Sequence, residues 1–152
     1  MRTTLMLLAL SALCCANSAL GTWKMDDTRS TFTGSPRPRS LTVRIEPHPK
    51  GEVFTLDRIE ADGRATSSST VLYFDGSPRD FQDFDCSGTQ TSRRVDSQTV
   101  EILRKCGSGE WIRYIRRSPA QPKEMIFDVT EGRPDGQRFE RRLVLTKQSA
   151  SQ

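Results

Sequence analysis

Leu41, Val43 and Ile45 alternate with Thr42, Arg44 and Glu46, the period-two pattern of a strand with one buried face. Short β-like runs of this kind, punctuated by turn residues, recur roughly every ten residues, the spacing of an antiparallel barrel or sandwich. No stretch carries a convincing helical period. The predicted strands cover residues 41–47, 52–60, 65–74, 88–95, 99–106, 110–117, 124–131 and 137–147. Asp62-Gly63, Asp75-Gly76 and Asp135-Gly136 each supply a pair that tolerates positive φ, as tight hairpins require. Pro49-Lys50-Gly51, Asp96-Ser97-Gln98 and Gly107-Ser108-Gly109 mark three more turns, and residues 119–122 a looser one. The pattern predicts an all-β fold, an eight-stranded antiparallel up-and-down barrel, because closing the meander removes the edges that a flat sheet would expose.

The two ends are built differently. Arg2, an apolar run from Leu5 to Leu13 broken by Ser11, and small residues up to Ala19 have the order of a secretory leader. Residues 1–19 are therefore expected to be a signal peptide, with the mature chain starting near Leu20. The run is shorter than the roughly 20 apolar residues needed to span a bilayer, so no membrane span is expected. Neither Cys14 nor Cys15 has the flanking residues that lipidation wants. Residues 20–147 suit one domain with one core, and residues 148–152 read as a flexible tail. Between Met25 and Leu41 the chain is polar and includes Pro36-Arg37-Pro38-Arg39. It is expected to run extended across the barrel's end, stiffened by its prolines.

Chemistry-bearing residues are few. The formal net charge is +4, lowered by one if Arg2 leaves with the leader, and so mild a value points to a solvated surface, with no nucleic-acid partner. Once the leader is removed Cys86 and Cys106 are an even pair, and in an oxidising compartment they are expected to bond. Pairing Val95 with Thr99 through the turn at 96–98 brings them within two residues of direct opposition. A bulge or a shift at the turn would complete the approach. The single histidine, His48, sits between Pro47 and Pro49, so general acid–base or nucleophilic catalysis lacks its usual groups. No enzyme activity, cofactor or metal site is expected. Asp80, Asp83 and Asp85 are read as a solvated connection rather than a calcium site. Arg93, Arg94, Arg104, Lys105, Arg113, Arg116 and Arg117 lie on three consecutive predicted strands and are read as outer wall, neutralised by cross-strand acids.

Gly21-Thr22-Trp23 ahead of an eight-stranded meander is the arrangement at the start of lipocalins and related calycin barrels. With Ser30-Thr31-Phe32, Glu60-Ala61-Asp62-Gly63-Arg64, Tyr73-Phe74-Asp75-Gly76 and the stretch Arg94-Val95-Asp96-Ser97-Gln98-Thr99-Val100-Glu101, the chain resembles exported bacterial lipocalin-like proteins of unassigned function. The resemblance implies a barrel whose base is closed by the N-terminal Trp, with a basic side chain of the last strand on the indole. Arg141 shares a face with Phe139, Leu143 and Leu145 and is the expected partner of Trp23, with Arg142 the alternative if the register shifts by one.

An eight-stranded barrel holds either packed side chains or one small ligand. The expected function is that of an exported binding protein, periplasmic or secreted and monomeric, holding a small apolar or amphipathic molecule. Its cavity lining is expected to come from Val43, Ile45, Thr70, Ile102, Ile115, Phe127, Phe139 and Leu143. The alternative is a filled barrel acting on a protein partner, as an interaction or inhibitor module.

Overall fold

The computed structural model describes residues 19–118 and 123–149. Most of the expected leader, the turn at 119–122 and the end of the tail lie outside the described residues. One antiparallel sheet contains β1 (Gly21–Met25), β2 (Thr31–Thr33), β3 (Ser40–His48), β4 (Gly51–Ile59), β5 (Ala65–Leu72) and β6 (Arg79–Gln82). It continues through β7 (Ser87–Arg94), β8 (Thr99–Cys106), β9 (Trp111–Arg117), β10 (Glu124–Gly132) and β11 (Arg138–Lys147). The order is β5-β4-β3-β1-β11-β10-β9-β8-β7-β6, with β2 paired separately to β11.

The strand number corrects the expectation of eight. All eight predicted runs are present within about two residues of their ends, and β1, β2 and β6 are additional. Each of these is five residues or shorter, too short for alternation to register. In β6 a single side chain, Phe81, is buried.

The curled sheet closes almost completely. Its two ends, β5 and β6, share no main-chain ladder. Side chains bridge the gap instead: Gln90 Nε2 donates to Thr70 Oγ1 at 3.1 Å, and the Phe74 amide donates to Ser92 Oγ at 3.2 Å. The Asp75-Gly76 pair, expected to make a tight hairpin, lies in this crossing, where β5 and β6 do not pair. Asp75 bridges to Arg93 on β7 instead. Asp62-Gly63 and Asp135-Gly136 do sit in hairpins, with φ of 89° and 86° at the two glycines, the region an L side chain enters only with strain.

The interior is solid in one half. Trp23, Ile45, Leu72, Val100, Ile102, Met125 and Leu145 are nearly inaccessible there, and Trp23 Nε1 donates to the Ala19 carbonyl at 2.8 Å. Cleavage after Ala19 would remove this acceptor. The expected Trp23–Arg141 pair does not form. β1 is registered so that Trp23 lies opposite Lys147, whose Nζ stands 5.2 Å from the indole centroid. Arg141 is six residues earlier on β11, roughly 20 Å along the strand, opposite Phe32 of β2. Arg142 points its guanidinium at Asp128. A basic residue of the last strand does cover the indole, but the short β1 sets a register that alternation within β11 alone does not reveal.

The disulfide joins Cys86 to Cys106, with Cα atoms 5.2 Å apart. The β7–β8 register is the one the turn at 96–98 predicts, with Gly88 opposite Cys106, and no shift is needed. The chain bends before β7 instead. Asp83 Oδ1 accepts from the amides of Asp85 and Cys86, turning Cys86 back towards its partner. Gly88 permits the approach, since a Cβ there would lie 1.9 Å from the Lys105 carbonyl oxygen. The bond closes a loop of 20 residues, which constrains the unfolded chain by about 3 kcal/mol. Replacing both cysteines by serine is expected to lower stability by about that amount, read as a lower denaturation midpoint with a steeper slope, because the chain without its cross-link exposes more surface on unfolding.

Candidate functional site

Inward-facing side chains leave the other half of the barrel open. The cavity there has a volume of about 350 Å³. Its apolar wall is made by Leu41, Val43, Phe54, Leu56, Phe127 and Leu143, and Ile112, Tyr114 and Val129 continue it towards the mouth. Phe32, Pro36 and Pro38 reach the cavity from the segment between β1 and β3, so that segment does cross the barrel's end. β2 anchors it to β11, and Arg37 holds the crossing in place by donating to the Ser30 carbonyl at 2.9 Å.

Of the eight lining candidates, Val43, Phe127 and Leu143 face this cavity. Ile45 and Ile102 point inward but are packed in the solid half, each 1% exposed. Thr70 lines a separate, smaller recess of about 220 Å³ between β5 and β6. Phe139 lies under the Arg133 guanidinium, 4.6 Å from its carbon, and packs on Gly34. Ile115 points outward, opposite Glu101 and Asp128. The reason is local: β9 carries apolar residues at both 112 and 115, three apart, and a strand can turn only one of them in. The fold takes Ile112, with Tyr114 and Arg116, inward.

That choice of face produces the arginines that sequence reasoning put on the outer wall. Arg93 and Arg113 do lie outside, both on Glu101, and Arg117 pairs with Asp128. Arg104 and Arg116 are inside. Arg116 is buried on the closed-end side and donates to Glu52 at 2.8 and 3.3 Å. Glu52 also accepts from Arg94 at 3.4 Å. Arg104, 2% exposed, borders the cavity; it donates to Gln90 Oε1 at 3.0 Å and Asp83 Oδ2 at 3.2 Å and stacks 3.9 Å from the Phe81 centroid. The signal was available: Arg104 follows Val100 and Ile102 at strand period, and Arg116 follows Tyr114.

Further charges ring the mouth. Arg58 contacts Asp85 at 2.9 Å and Glu60 at 3.3 Å. Burial works against its charge most strongly, but Glu60 and Asp85 together outweigh it and raise its pKa above the ordinary arginine value. Arg141 donates to Glu131 at 2.8 Å. Asp83 and Asp85 are thus partners of arginines, and among the described residues no group of acids, histidines or cysteines is placed to hold a metal ion. His48, at the end of β3, accepts from the Lys50 amide and meets Tyr73 edge-on, away from the cavity wall.

No protein-family profile and no curated protein sequence matches the chain. Solved structures do. A fatty acid binding protein of Schistosoma mansoni, in complex with arachidonic acid, has a TM-score of 0.57 at 13% identity, covering 87% of this chain and 97% of its own. The zebrafish ileal bile acid-binding protein, complexed with cholic acid, has a TM-score of 0.53 at 10% identity, covering 86% of this chain and 99% of its own. The class of fold is therefore the calycin-like β-barrel. Identity this low establishes the architecture and nothing finer.

Proposed function

We propose that this protein is an exported carrier that holds one small apolar or amphipathic molecule inside its barrel. The observation behind the reading is the cavity of about 350 Å³, within the range of small-molecule sites, with an apolar wall on one side and charged residues paired with one another on the rest of its lining. It favours a carrier over a filled barrel acting through its surface. The two similar structures hold a fatty acid and a bile acid, which supports a ligand of the same general character. Export is supported by the leader pattern of residues 1–19 and by the disulfide, a bond that persists in oxidising compartments.

Titration with the uncharged fluorescent probe N-phenyl-1-naphthylamine tests the reading. One saturable site per chain is expected. Leu56→Trp, which fills the cavity, is expected to weaken uptake by at least about tenfold, equivalent to 1.4 kcal/mol, whereas Ile59→Trp on the exposed end of the same strand is expected to leave it unchanged. Absence of saturable uptake by the parent protein, or equal uptake by the Leu56 variant, contradicts the proposal.

A further inference from the structure

The arginines around the cavity are already committed. Arg104 is held by Asp83, Arg58 by Asp85 and Glu60, and Arg141 by Glu131. Arg133 stands 3.8 Å from Glu110 and 3.9 Å from Glu131. The lining thus sets five carboxylates against four guanidiniums, a balance with no spare positive charge. An entering carboxylate would have to separate one of the inner pairs, leaving Asp83 or Glu131 poorly solvated at 10% and 19% exposure, or sit beside both members of a pair and add a like charge. Either route costs affinity.

The site does offer hydrogen-bonding capacity without charge. Arg141 Nε is buried and has no acceptor, and Arg141 lies on the cavity wall two residues before Leu143 on β11. A buried donor left without a partner is costly, and a ligand oxygen that supplies one recovers that cost. An alcohol, ester or amide oxygen would do so and leave the Arg141–Glu131 pair intact.

Building on the carrier reading, we infer that the cavity selects an uncharged amphiphile, an alkyl chain bearing a hydroxyl, ester or amide, over the corresponding free carboxylic acid. The apolar chain lies against Val43, Leu56, Phe127 and Leu143, and the polar end accepts from Arg141 near the mouth.

Displacement of N-phenyl-1-naphthylamine from the intact protein at neutral pH, by dodecanol, methyl dodecanoate and dodecanoate, tests this. The alcohol and the ester are expected to displace the probe at concentrations at least about tenfold below dodecanoate. Asp83→Asn and Glu131→Gln each release a guanidinium and are expected to narrow that gap. Two variants are used because Asp83 also shapes the turn before Cys86, whereas Glu131 does not. Dodecanoate competing as well as the alcohol, or a gap unchanged in a folded Glu131→Gln protein, overturns the inference and leaves the carrier reading standing. Failure of the parent protein to take up the probe removes both.

Discussion

Glu52→Ala is expected to destabilise the protein by about 3–5 kcal/mol, because it leaves the Arg116 guanidinium buried without its counter-charge. The two side chains are 1% and 2% exposed and bonded twice, so water cannot replace the lost carboxylate without opening the barrel. Arg94, the second partner of Glu52, is 45% exposed and can return to solvent. For a domain of this size the loss corresponds to a fall in Tm of roughly 10–20 °C. Arg116→Met alone is expected to cost a similar amount, now through a buried carboxylate. Combining it with Glu52→Leu should recover most of the loss, since replacing both members of a buried pair by apolar groups is often neutral or stabilising by about 1–4 kcal/mol. Thermal melts of the two single variants and the double variant measure the coupling. Additive single losses, with no recovery in the double variant, would mean that the pair does not act as one unit.

Trp23→Ala is the second large effect, expected at about 3–5 kcal/mol. Trp23 is completely buried in the solid half of the barrel, and truncating it removes both the packing and the floor on which that half rests. Trp23→Phe keeps most of the volume and is expected to cost less. Lys147→Gln removes only a cation from the indole face, an effect of about 0.5–1 kcal/mol at a partly exposed site. Arg141→Gln is expected to leave the Trp23 environment unchanged, because Arg141 belongs to Glu131 and the mouth. Urea unfolding curves of these four variants give the ranking. A larger loss for Arg141→Gln than for Lys147→Gln, accompanied by a changed Trp23 emission, would restore the pairing that the resemblance alone implied.

Much of the architecture could be read along the chain because alternation is a local property. Leu41, Val43 and Ile45 declare their common face within one strand, and Asp62-Gly63 and Asp135-Gly136 declare the hairpins that follow. The disulfide could be read for a related reason: the turn at 96–98 fixes the register of β7 against β8, and with it the proximity of Cys86 and Cys106. What could not be read depends on relations between distant strands. Trp23 meets Lys147 through a register set across β1 and β11, and β1 is too short to advertise it. Cavity and core also look alike in sequence. Val43 and Ile45 occupy the same face of β3, yet one lines the opening and the other is packed solid, because the outcome depends on what faces them across the barrel. Arg104 and Arg116 lay within reach of the periodicity rule but run against the ordinary preference of arginine for solvent. Their burial is explained by Asp83, Gln90 and Glu52, residues far away in the chain.

Methyl-resolved NMR of the protein titrated with dodecanol shows directly whether a ligand enters the barrel. The expected result is a saturating one-to-one titration in which the methyls of Leu41, Val43, Leu56 and Leu143 shift, while those of Ile45 and Ile102 in the solid half and Val95 on the outside stay in place. Shifts confined to Val95 and other exterior methyls, or no saturating shift at the four cavity residues, would contradict the claim that the barrel holds its ligand inside.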